Sequence, residues 1–142
     1  MADLLAALRQ LGVTVKSKMG NDRFPLVVIA NGLIGGSVRL NVSKSSQFLT
    51  SLLMVAPVTE QGMKIKLEGP LISQPYIDIT LSVMRTFGAS VTDHAYRRFT
   101  VPGGQTYQPR HYTIEPDASN ASYFFALAAI TCLLYTSDDA DE

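Results

Sequence analysis

One cysteine, Cys132, stands in a chain of 142 residues. A single thiol permits no internal disulfide and gives no basis for a cysteine-built zinc cluster. His94 and His111 lie far apart with no cysteine or carboxylate at ligand spacing, so no metal is expected. The most apolar run, from Tyr123 to Tyr135, has 13 residues. That is short of the roughly 20 a membrane-spanning helix needs, and no membrane partner is expected. The opening MADLLAALRQ has no basic leader ahead of an apolar core. It does not read as a secretory signal, and the cytoplasm is the expected compartment. There is no basic stripe interleaved with aromatics, which excludes nucleic acid as the expected partner. The glycine-rich residues 32–36 are not followed by Gly-Lys-Ser/Thr, so they read as a hairpin and not a phosphate loop. No nucleophile–base pair and no paired carboxylates appear, which leaves the chain without visible acid–base machinery.

What is present describes a globular α/β chain the length of one domain, with 46% hydrophobic residues. The formal net charge of zero conceals an asymmetry. Four of the 12 acidic residues (Asp138, Asp139, Asp141 and Glu142) fall in the last five positions. Residues 1–131 therefore hold 12 Lys and Arg against 8 acids, a net of +4 that suits small anionic ligands.

The chain repeats itself. Leu8-Arg9-Gln10-Leu11-Gly12-Val13-Thr14-Val15 matches Met84-Arg85-Thr86-Phe87-Gly88-Ala89-Ser90-Val91, with the glycines 88 − 12 = 76 positions apart. Ser46-Gln47-Phe48-Leu49 matches Ala121-Ser122-Tyr123-Phe124 at 123 − 48 = 75. The spacing of Leu4, Leu5, Leu8 and Leu11 predicts a helix closed by Gly12. Strands are predicted at 13–15, 24–30 and 37–42, then a helix over 45–56 stopped by Pro57, and an alternating strand at 64–68. A second block predicts a helix at 78–87, strands near 89–92, 97–101 and 112–115, a turn at Gly103-Gly104, and a helix from about Ser119. Asp117 is placed as its N-cap. Two related α/β units of mixed sheet, with helices buried on one face, are the expected architecture.

The stretch Ser45-Ser46-Gln47 opens the 45–56 helix with two hydroxyls and an amide. The first turn of a helix leaves four N–H groups unpartnered and carries partial positive charge. A phosphate or carboxylate meets both demands. Three uncharged donors around that point read as a neutral anion cradle; a helix cap with polar neighbours is the plainer reading.

Longer motifs bear on that choice. SSQFLTSLLMVAP is followed by Leu71-Ile72-Ser73-Gln74-Pro75-Tyr76-Ile77-Asp78-Ile79-Thr80, then Phe87-Gly88, Val101-Pro102-Gly103-Gly104-Gln105-Thr106-Tyr107, and Asp117-Ala118-Ser119-Asn120-Ala121-Ser122-Tyr123-Phe124. In this order the motifs resemble the 5-enolpyruvylshikimate-3-phosphate synthase family, in its bacterial form, over residues 1–130.

The resemblance implies enolpyruvyl transferase architecture, an inside-out α/β barrel built of repeated units. This chain would supply only the later part of the first domain, as residues 1–131. It implies transfer of the enolpyruvyl group of phosphoenolpyruvate to the 5-hydroxyl of shikimate 3-phosphate, with loss of phosphate and no metal or organic cofactor. Carried over by position, Ser45 and Ser46 would hold shikimate 3-phosphate, Gln47 would touch both substrates, and Ser73 and Tyr76 would add contacts to shikimate 3-phosphate. Catalytic acid–base residues would lie outside this segment, in the second domain, leaving it inactive by itself. The full-length protein would be a monomer, and Met1 an internal methionine. The alternatives are UDP-N-acetylglucosamine enolpyruvyl transferase, which shares the fold and chemistry, and a non-catalytic domain that binds a phosphorylated sugar acid.

Some positions depart from the family pattern. Residues 41–44 replace a Gly-Ser pair and a small or apolar residue; Lys44 there reads as solvated, or as extra charge for an anion site. Gln74 stands where relatives often have Lys, and Pro116 replaces a glycine. Residues 132–142 fit no family strand. They resemble the translation of a transposase adapter with one residue altered, and are expected to be a non-native tail.

Overall fold

The computed structural model describes residues 1–131; the adapter-like stretch at 132–142 lies outside the described residues. Two compact units divide the chain, the first Met1–Arg110 and the second beginning at His111.

Unit one opens with α1 (Ala2–Gln10), then β1 (Thr14–Ser17), β2 (Leu26–Ile29), β3 (Gly36–Asn41), α2 (Gln47–Val55), β4 (Met63–Glu68), α3 (Gln74–Thr86), β5 (Thr92–His94) and β6 (Arg98–Val101). β1 and β2 make an antiparallel ribbon, and the other four strands form a mixed sheet ordered β3-β4-β6-β5. β3 and β4 run parallel, joined through α2, while β4–β6 and β6–β5 are antiparallel. The α/β class with a mixed sheet is as the sequence implies.

The core follows the period-two pattern of the strands. Val38 and Leu40 on β3, Met63 and Ile65 on β4, and Phe99 and Val101 on β6 are buried on one face. Leu49, Leu52 and Leu53 of α2 and Ile77, Leu81 and Met84 of α3 cover them. A smaller cluster of Leu5, Val13 and Val15 seats α1 on the ribbon.

Both α1 and α3 end in the same way. Gly12 (φ +85) and Gly88 (φ +87) adopt the left-handed conformation. Val13 N donates to Leu8 O at 3.0 Å and Ala89 N to Met84 O at 2.9 Å, the six-to-one bond of a Schellman cap. Arg9 then reaches Val15 O at 3.1 Å and Arg85 reaches Val91 O at 3.5 Å, each six residues on.

Several boundaries differ from the sequence reading. Residues 32–36 do not form a hairpin: β2 pairs with β1, β3 pairs with β4, and the glycines instead allow close backbone approach. Gly36 N donates to Gly62 O at 2.8 Å, and a Cβ on Gly35 or Gly62 would overlap carbonyl oxygens of Gly62 or Val101. A Cβ on Gly103 would strike Gly62 N, so three loops meet backbone to backbone at the Gly36–Met63–Val101 end of the sheet. Pro57 does not stop the chain at once but sits in a 3-10 turn, Ala56–Val58. The strand expected near 89–92 lies at Thr92–His94, and α3 starts at Gln74, a full turn before Asp78.

In unit two, residues 112–115 form no strand. Pro116 follows them, and Asp117 Oδ1 accepts from Ser119 N (2.9 Å) and Asn120 N (3.2 Å), capping α4 (Ala118–Thr131) as predicted. α4 is apolar around its circumference and has no buried residue.

Candidate functional site

β3 and β4 deliver the two stretches singled out in the sequence. β3 ends at Asn41 and leads into Ser45-Ser46-Gln47 at the start of α2; β4 ends at Glu68 and leads into Ser73 at the start of α3. Because the two strands are parallel, both helix N-termini emerge at the same carboxyl edge, where open α/β sheets place their ligands. All five predicted site residues, Ser45, Ser46, Gln47, Ser73 and Tyr76, line one cleft of about 740 Å³.

Both helices begin irregularly. Ser46 is the N-cap of α2 yet has helical φ/ψ (−79, −14), and among the described residues its side chain makes no capping bond. The local cap is Ser45, whose Oγ accepts from Gln47 N at 3.2 Å. Ser46 is one of two buried polar residues among the described residues, 8% exposed, and lines the cleft. Ser73 caps α3 in the left-handed region, φ 61 and ψ 55, without a side-chain bond to its helix. A non-glycine residue there is strained by about 1–2 kcal/mol, and such outliers cluster at ligand sites. The plain capping reading thus fits Ser45 but not Ser46 or Ser73.

The sequence reading missed the wall between the helices. Thr80 Oγ1 donates to Tyr76 O at 2.7 Å, so its lone pairs face Thr50 Oγ1 at 3.3 Å, and the two hydroxyls tie α3 to α2. Helical spacing could have found them, since Thr50 lies three residues after Gln47 and Thr80 four after Tyr76. Ile72 and Ile79 supply the apolar lining, and Tyr76 stands 63% exposed on the rim.

The lining is nearly neutral. Lys44 is its one charged residue; none of the described lining residues is Asp, Glu or His. The cleft can therefore hold an anion with hydroxyls, amides and two helix N-termini. No cluster of three or more His, Cys, Asp or Glu among the described residues could hold a metal ion. No helix of the described residues is long and apolar enough to cross a membrane.

Comparison with known proteins bears on this geometry. The chain is 44% identical over 131 residues to 3-phosphoshikimate 1-carboxyvinyltransferase of Nostoc sp., covering 92% of this chain and 31% of that protein. It is 50% identical over 131 residues to the enzyme of the same name from Edwardsiella ictaluri, covering 92% and 30%. The chain thus spans about a third of the length of these curated relatives. An EPSP synthase structure from Acinetobacter baumannii superposes with a TM-score of 0.66 at 20% identity, covering 92% of this chain and 28% of that one, a likeness of fold. Residues 1–133 match the family model for EPSP synthase (3-phosphoshikimate 1-carboxyvinyltransferase), and the chain belongs to that family.

Proposed function

We propose that this chain is the shikimate 3-phosphate-binding part of an enolpyruvyl transferase. The complete protein transfers the enolpyruvyl group of phosphoenolpyruvate to the 5-hydroxyl of shikimate 3-phosphate. The hydroxyl oxygen adds to C2 of the enol and gives up its proton while the methylene carbon of the enol takes one. The adduct then expels phosphate as its new methyl group loses a proton, which restores the double bond. The observation that carries this reading is the meeting of Ser45, Ser46, Gln47, Ser73 and Tyr76 in one cleft without a carboxylate. Ser45 and Ser46 hold the phosphorylated ring, aided by the α2 N-terminus. Gln47 donates to both substrates near the developing charge, where a preorganised neutral donor is most effective. Ser73 and Tyr76 close the other side. Proton transfer belongs to residues beyond this segment, and the segment alone is inactive.

Residues 1–131 constitute the later part of the first domain, built from two related units about 76 residues apart. The matched caps at Gly12 and Gly88 support that reading. Residues 132–142 are proposed as a non-native tail, of which the family match overlaps the first two residues. The complete enzyme works as a cytoplasmic monomer without metal or organic cofactor, on small-molecule substrates and not on nucleic acid or membranes.

The test is Ser45→Ala plus Ser46→Ala in the full-length enzyme, followed by phosphate release with both substrates. The expected result is a large rise in KM for shikimate 3-phosphate. An unchanged KM would remove the cradle from the binding site.

A further inference from the structure

The outward face of the four-stranded sheet carries a second polar surface, unrelated to the cleft. Strand register places Arg39 opposite Lys66, Lys66 opposite Arg98, and Arg98 opposite His94. All four are exposed. They form a single row across β3-β4-β6-β5, about 14 Å long at the usual spacing of about 4.8 Å between strands. Like charges directly opposite one another destabilise a sheet. Among the described residues none of the four makes an ion pair. Lys64 stands two residues from Lys66 on the same face. Glu68 is the one carboxylate that the strands place on that face, diagonal to Arg39, and Asp3 of α1 lines the same hollow as Arg39 and Glu68. The permanent charges there, four cations against the two carboxylates Glu68 and Asp3, give 4 − 2 = +2.

We propose that this face binds a short chain of phosphate groups. The cation row asks for repeated negative charge at close spacing, and the neighbouring row supplies hydroxyls to complete the set. Thr100 and Thr92 lie beside Lys64 across the register, and with His94 and Arg98 they line a groove of about 370 Å³. His94 Nε2 lies 3.2 Å from Thr100 Oγ1, which draws the two rows together. Arg39 and Arg98 present planar forks that match phosphate oxygens two at a time. The composition of the face selects among anions. Its outward positions on β3, β4, β5 and β6 hold no Phe, Tyr or Trp and no apolar side chain. A nucleobase has no Phe, Tyr or Trp platform here, only the His94 ring and guanidinium planes, and a docking peptide would lack the apolar core of a protein interface. A ligand that is charged along its whole length fits best.

Titration of the full-length protein with tripolyphosphate tests this. Saturable binding is expected at low salt, about tenfold weaker when monovalent salt is raised from 50 to 200 mM. Lys66→Gln plus Arg98→Gln is expected to weaken it about tenfold, while Ser45→Ala plus Ser46→Ala leaves it unchanged. Circular dichroism checks that the charge variant is folded, and Lys66→Glu alone serves as a second variant expected to lose affinity. Absence of binding to the unaltered protein, binding retained by both charge variants, or binding lost in the serine variant would overturn the proposal. Tighter binding of a thymidine oligonucleotide or a polyglutamate peptide than of tripolyphosphate would overturn the ligand class.

Discussion

The cleft and the outer sheet face are the two proposed anion sites, and they are made by opposite means. The cleft uses neutral hydroxyls, an amide and helix N-termini, with Lys44 as its one charged lining residue. The sheet face uses side-chain cations held side by side by strand register. Neutral donors fixed by backbone geometry can be partly buried, as Ser46 is, because desolvating them costs far less than desolvating an unpaired charge. Cations must stay in water, where salt weakens them. A single segment thus separates geometric recognition from long-range attraction.

The sharpest break in this comparison comes from the cradle. Removing both hydroxyls with Ser45→Ala and Ser46→Ala deletes hydrogen bonds to a charged group worth about 1.5–3 kcal/mol each. KM for shikimate 3-phosphate in the full-length enzyme is expected to rise about 100-fold or more, with little salt dependence. Next comes the core that supports both surfaces. Leu49 is fully buried between α2 and the sheet, and Leu49→Ala is expected to cost about 2–5 kcal/mol in denaturant unfolding. Ser73→Gly separates stability from binding at one position. Relief of the left-handed backbone is expected to stabilise by about 1 kcal/mol, while loss of the hydroxyl raises KM for shikimate 3-phosphate.

On the charged face, Lys66→Glu places a carboxylate between Arg39 and Arg98. It is expected to stabilise by about 0.2–1 kcal/mol, an effect that fades in high salt. The smallest effect lies at the ribbon. Arg9 donates to Asp22 at 2.7 Å, and that hydrogen bond holds the carboxyl below its ordinary value of 3.8. A lowered folded-state pKa contributes stability that is complete above the unfolded value and lost as pH falls through the folded one. Asp22→Asn is expected to remove a slight acid-side decline in stability below about pH 4, read from melting temperatures.

Much of the site was legible because it lies in two short stretches whose chemistry is local: Ser45-Ser46-Gln47 before an apolar helix, and Ser73 through Tyr76 before another. The caps at Gly12 and Asp117 were legible for the same reason, and Gly88 stood out only as the repeat partner of Gly12. Pairing was not. The glycines at 32–36 looked like a hairpin because glycine marks both turns and close approach, and only the partner strand distinguishes them. The β5–β6 turn escaped notice because Ala95 and Tyr96 take positive φ (52 and 53) without glycine or asparagine. Tyr96 is held there by Asp93, which accepts from its N–H at 2.8 Å, and by Asp78, which accepts from its hydroxyl at 2.6 Å. The cation row needs four strands in register before any two of its members become neighbours, so no window along the chain contains it.

The junction of Gly35, Gly62 and Gly103 acts as a rivet at one end of the sheet. Where main chain presses on main chain there is no side chain to trim, so neither added bulk nor an inserted residue can be absorbed at that end. Change must be taken up at the opposite rim, where residues 42–44 follow β3 and Gln74 opens α3. The fastened end keeps β3 and β4 aligned, so the two helix starts at the other end stay in register with each other.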